Sequence, residues 1–206
     1  MLNRCTAVLV LLCVASACGQ TETRHAEQVR LRGLQVTPPN GTSLSASEYE
    51  GLLGLLGGNG ATRLISLYRT SVHGTTYGDL LDNVGDTKPL VFVVRKDKYV
   101  FGAFISEGIQ LPDDPTSSHV YDSDYVREPG RVGTIDEDLW IGGQGWSGGA
   151  LSLGIPTDIR ICSQFTPSKY VPAGYMGKRF QLDGDAFLGG SYEFMADEIE
   201  VLQVVQ

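Results

Sequence analysis

Apolar and polar positions divide the chain into short blocks with different periods. Ser45-Ala46-Ser47-Glu48 offers a serine to accept from the helix backbone and a glutamate to reach back, a capping box. Leu52, Leu53, Leu55 and Leu56 supply the apolar face of the helix so started, and Gly57-Gly58-Asn59-Gly60 stops it. Leu64, Ile65 and Leu67 read as a short strand, His73-Gly74 as a turn, and Thr75 as the cap of a second helix through Leu80, Leu81 and Val84, ended at Gly85. Leu90–Val94 is a continuous apolar, β-branched run, the pattern of a strand buried on both faces. Arg95 to Lys98 forms a polar turn, and Tyr99–Ser106 is the hairpin partner, with Gly102 where another backbone passes close.

Residues 109 to 134 have no periodicity, three prolines and several aspartates, and read as a long surface loop. Residues 138 to 155, DLWIGGQGWSGGALSLGI, read as two strands around a glycine-rich turn. The pattern at Ile159–Phe165 is ambiguous. At the far end Ile199, Val201 and Gln203 alternate with Glu200, Leu202 and Val204, which predicts a strand. No internal repeat is visible.

The first 18 residues have a different character. Arg4 precedes an apolar run from Ala7 to Ala17, and Ala15-Ser16-Ala17 places small residues where a signal peptidase inspects the chain. The run is shorter than the ~20 residues a helix needs to cross the hydrocarbon layer. Residues 1–18 are therefore expected to be a secretory signal peptide. Cleavage after Ala17 would leave Cys18 first, which resembles a lipoprotein box and makes Cys18 a candidate for lipidation. Residues 19–44 read as a linker, broken by Pro38-Pro39 and Asn40-Gly41, with Asn40 a candidate glycosylation acceptor on a secretory route. The domain proper is expected over 45–206, in a secreted or membrane-anchored protein.

Composition narrows the chemistry. The formal net charge is −8, and no basic run exceeds Arg95-Lys96-Asp97-Lys98, so no nucleic acid is expected as partner. A membrane is expected only through a lipid anchor. Cys5 and Cys13 would leave with the leader, which leaves Cys162 alone, or paired with Cys18 if that residue is retained unlipidated, and excludes a disulfide framework. His25, His73 and His119 offer no ligand spacing with one cysteine, so no metal and no cofactor is expected. The glycines at 142–149 lack the Lys-Ser/Thr of a phosphate loop. Ser71 and His73 are close in sequence, but no Gly-x-Ser-x-Gly elbow is present. Asp113, Asp114, Asp122 and Asp124 lack the spacing of a calcium loop and read as a solvated acidic segment. Glu107, at the end of an apolar strand, is either a rim carboxylate or one held by backbone donors.

The order of these segments is familiar: LISLYRTSVHGTTYGDLLDNV, LVFVVRKDKYVFGAFISE, DLWIGGQGWSGGALSL, ICSQF and DEIEVLQV. Over 45–206 the chain resembles the TLDc domain of the oxidation resistance protein family. The resemblance implies an α+β fold, a two-sheet β-sandwich with flanking helices, its N- and C-terminal segments close together. It implies a non-catalytic interaction module linked to oxidative-stress protection. The family's proton-ATPase partner would apply only to a cytosolic domain. By residue match it points to Gly102, Ser106, Glu107 and Glu200 as candidate binding positions, with His73 at the turn. Leu202 stands where the family's terminal strand has Trp, and residues 109–134 lack its aromatic stretch. Two alternatives remain at this stage. One is a secreted enzyme with weak redox or hydrolytic activity, using Cys162. The other is a carbohydrate-binding β-sandwich using Trp140 and Trp146.

Overall fold

The computed structural model describes residues 8–10, 37–57, 61–106, 108–109, 132–135, 138–142, 150–154, 157–171, 175 and 177–205. It contains helices and several antiparallel sheets, an α+β fold.

One five-stranded sheet is built from β1 (Val8–Val10), β2 (Arg63–Arg69), β3 (Leu90–Lys96), β4 (Tyr99–Ile105) and β12 (Glu198–Val205), in the order β1-β4-β3-β12-β2. All neighbours run antiparallel. The strand of residues 198–205 lies inside the sheet, between β2 and β3. The second sheet has the order β11-β8-β7-β6-β5: β5 (Val132–Ile135), β6 (Asp138–Gly142), β7 (Ala150–Leu153), β8 (Ile161–Phe165) and β11 (Glu193–Met195). A small ladder joins β9 (Lys178–Arg179) to β10 (Ala186–Phe187).

The burial pattern explains the continuous apolar run in β3. Phe92 and Val94 enter the main core, with Phe101, Ala103 and Ile105 of β4 and Ile199 and Val201 of β12. Ile141, Leu151, Leu153, Cys162 and Phe194 of the second sheet belong to that same core. Phe101 and Phe194 meet edge-on with ring centroids 5.8 Å apart. On the opposite face Val91 and Val93 join Leu64, Val100, Leu202 and Val204 in a second core. That core is roofed by Leu44, Tyr49 and Leu52 on and before α1 (Ala46–Leu55). Both faces of β3 and β12 are thus apolar and covered, so period-2 alternation is lost there.

Helix α1 starts where its cap predicts. Ser45 and Glu48 form both halves of the capping box of α1. In α3 (Tyr77–Val84) the cap is Thr76, one residue beyond the expected Thr75, because Asp79 closes a reciprocal box on Thr76. The expected His73-Gly74 turn is a full helical turn, α2 (Thr70–His73), ended by Gly74 at φ 110°. The hairpin turn is tighter than expected: Arg95 and Lys96 stay in β3, and Asp97, at φ 50°, carries the reversal. Ile159–Phe165 resolves into β8 from Ile161 onward. β5 begins at Val132, inside the stretch expected to be loop. The expected linker also contributes, since Leu44 is buried and Ser43 is bonded to the sheet. Among the described residues no helix is long and apolar enough to cross a membrane.

Candidate functional site

The sequence places two carboxylates in a buried strand. Glu198 and Glu200 share a face of β12 with Leu202 and Val204, under the roof of α1. A charge in such a place must be hydrogen-bonded or neutralised. The structure meets this demand with donors from three segments.

Glu200 is fully buried. Its Oε2 accepts from the Ser43 amide at 2.8 Å and the Ser43 hydroxyl at 2.6 Å. Its Oε1 accepts from Ser66 Oγ of β2 at 2.8 Å. Glu198 Oε1 accepts from Thr70 Oγ1 at 2.6 Å and the Ser71 amide at 2.9 Å. Its Oε2 accepts from Ser71 Oγ at 2.5 Å and from Arg69 Nη2 at 2.7 Å. Burial alone would raise the pKa of Glu198, but the bonds from Ser71, Thr70 and Arg69 outweigh it and hold the carboxyl below its ordinary range. Thr70 Oγ1 in turn accepts from the Ile199 amide at 3.0 Å, which fixes α2 to β12.

A third glutamate extends the network. Arg95 donates to both oxygens of Glu48, at 3.1 and 3.0 Å, and to the Ser43 carbonyl at 3.1 Å. Burial raises the pKa of Glu48, and the bonds from Arg95 and Ser45 lower it further than burial raises it. Arg69 also donates to the Gly41 carbonyl at 2.8 Å. Residues 41–48 are therefore clasped to the sheet by Arg69, Arg95 and Glu200. Arg69 Nε is a buried nitrogen without a partner among the described residues.

The positions expected from sequence are spread across this arrangement. Gly102, Val93, Glu200 and Arg69 are successive partners across four strands. A Cβ at Gly102 would stand 2.1 Å from the Phe92 carbonyl oxygen, so the position admits no side chain. His73 accepts the Arg69 amide on Nδ1 at 2.9 Å and stacks on Tyr68, with centroids 5.8 Å apart. It caps α2 and does not pair with Ser71, whose hydroxyl is given to Glu198. Ser106 follows β4 directly. Asn40 is exposed in a turn. Glu107, Cys18, Trp146, Asp113, Asp114, Asp122 and Asp124 lie outside the described residues, as does the side chain of Trp140. The strands β6 and β7 pair antiparallel, so the glycine-rich stretch between them connects two strands. Sequence reasoning passed over Glu198, Thr70, Arg69, Arg95, Ser43 and Ser66. The signal available was two acids on the same face of an otherwise apolar strand.

Cys162 is 2% exposed and donates to the Ile159 carbonyl at 3.3 Å. Burial pushes its thiol up to about 12. Roughly one molecule in 10⁵ would carry a thiolate at neutral pH, far below what a nucleophilic or peroxide-reducing cysteine needs. Among the described residues no group of three His, Cys, Asp or Glu side chains is placed to hold a metal ion.

A different surface is formed at the β9–β10 end. Phe180, Phe187 and Tyr192 contact one another edge-on at 6.1 and 6.5 Å. Phe180 is 45% exposed, Tyr192 50%, and Leu182 in the same loop 88%. On the neighbouring strands Ile161 and Met195 face each other across the β8–β11 ladder, both exposed.

No curated protein matches the chain. The family model described as the TLDc domain matches residues 41–124, the stretch that holds residues 41–48 of the clasp, α1 to α3 and β2 to β4.

Proposed function

We propose that the chain is a non-catalytic, TLDc-type protein-interaction module, a two-sheet β-sandwich that works outside the cytosol in protection against oxidative damage. The TLDc match supports the oxidation-resistance family broadly. The shared core of the two sheets supports the sandwich. The leader pattern at residues 1–18 and the exposed Asn40 support a secretory route.

The observation that carries the interaction reading is the contrast between the two ends of the molecule. At the clasp the carboxylate oxygens of Glu198 and Glu200 are already engaged by donors of the fold. At the β9–β10 end, large apolar side chains stand in water, where contiguous apolar surface marks an interaction site. The test is a binding measurement on the double variant Phe180→Ser, Leu182→Ser, using a partner first captured with the unaltered protein. We expect binding to fall at least tenfold with an unchanged melting temperature. Retained binding overturns the assignment of that surface. Hydrogen peroxide consumption that disappears in Cys162→Ala would replace the module with an enzyme.

A further inference from the structure

The two edges of β4 are used unequally. On one side it pairs with β3 over seven positions, from Leu90↔Ile105 to Lys96↔Tyr99. On the other, among the described residues, it pairs with the three residues of β1, with Val8 opposite Phe104, Leu9 opposite Ala103 and Val10 opposite Gly102. In an antiparallel ladder alternate residues send their N–H and C=O groups to opposite neighbours. β4 therefore turns backbone donors and acceptors outward, and an edge of that kind recruits a strand.

The segment that fills this edge has a second fate. Val8–Val10 lies in the apolar run that reads as a secretory leader. A leader that has been removed cannot pair with β4. With Val8–Val10 in place the edge is paired over Gly102–Phe104; a chain that has lost the leader lacks that partner. Gly102 and Ala103 are small, so an incoming strand meets little side-chain bulk beside it. Behind the edge, β4 is anchored through Phe101, Ala103 and Ile105 in the main core.

We propose that the outer edge of β4 at Gly102–Phe104 is a strand-accepting site. Val8–Val10 closes it in the unprocessed chain, and its occupant afterwards is an extended, apolar, β-branched segment of a partner protein, added antiparallel. This deepens the module reading and rests on it for its biological meaning. The recognition is by main-chain hydrogen bonds, with specificity from alternate side chains of the added strand.

The experiment uses the full chain carrying Val8→Pro and Leu9→Pro together. Proline has no amide to give the ladder, so one of the two removes a donor whichever residue faces β4. The probe is a fluorescent peptide of residues 6–12, TAVLVLL, flanked by lysines for solubility. Anisotropy and amide exchange at Gly102, Ala103 and Phe104 are read. We expect the peptide to bind the double-proline chain and slow exchange of outward-facing amides at least tenfold. Binding to the unaltered chain should be at least tenfold weaker. Absent binding, equal binding to both chains, or binding that leaves those amides unchanged overturns the proposal. If the double-proline chain fails to fold, exchange in the unaltered chain decides. Amides at 102–104 that exchange as fast as a free edge also overturn it. No natural partner enters the test, so it stands or falls apart from the Phe180/Leu182 measurement.

Discussion

At the scale of single residues, Gly102 and Glu198 show opposite uses of the same buried sheet face. At Gly102 the constraint is volume. The Cβ of an alanine would lie 2.1 Å from a backbone oxygen of β3, which can move only by distorting the ladder. Gly102→Ala should lower stability by about 2–3 kcal/mol, in the range of overpacked cores, measured by chemical denaturation. At Glu198 the constraint is charge. Its carboxyl and that of Glu48 are both held below the ordinary glutamate range by their hydrogen bonds. A depressed folded pKa means stability that is complete above the unfolded value and is lost as pH falls through the folded one. Thermal stability should therefore be flat above about pH 5 and decline in the window below 4.5. Glu198→Gln should reduce the depth of that decline, and a pH series of melting temperatures on both proteins reads it directly. Glu198 was hidden in the sequence because an acid beside Ile199 and Val201 in an alternating pattern looks like the solvent face of an edge strand. Its role depends on Thr70, Ser71 and Arg69, which lie 127 to 129 positions away.

At the scale of elements, the local signals were legible and the long-range ones were not. The capping box of Ser45 and Glu48, the Leu90–Val94 strand and its hairpin partner follow from spacing and residue type alone, whereas the cap of α3 was expected one residue early, at Thr75 instead of Thr76. The helical turn α2 left no such trace. It has no side-chain N-cap bond of its own, and its stability comes from Glu198 and from His73 reaching back to Arg69. The clasp at 41–48 was masked by composition, since prolines, glycine and small polar residues read as linker. Ser43 nonetheless gives two donors to a fully buried carboxylate. Ser43→Ala removes one of them, and leaves Glu200 short of a partner in an apolar setting. It should cost about 1–3 kcal/mol in urea denaturation. Thr76→Ala at the cap of α3 provides the comparison, with an expected loss of about 1 kcal/mol for a partly exposed helix end.

At the scale of the whole molecule, the extent of the family match and the extent of the sheet differ. Residues 41–124 supply β2, β3 and β4, but the strand joining β2 to β3 is β12, outside the match. A fragment of residues 41–124 lacks the middle of its own sheet and, with it, Glu198 and Glu200 of the clasp. It should show no cooperative melting transition and little amide dispersion by NMR, while the full chain shows both. The position of β12 also sets a timetable for biosynthesis. Lys96 leaves the ribosome about a hundred residues before Glu198, and closing so long a loop is slow and entropically costly. Until then the nascent polypeptide exposes two open strand borders.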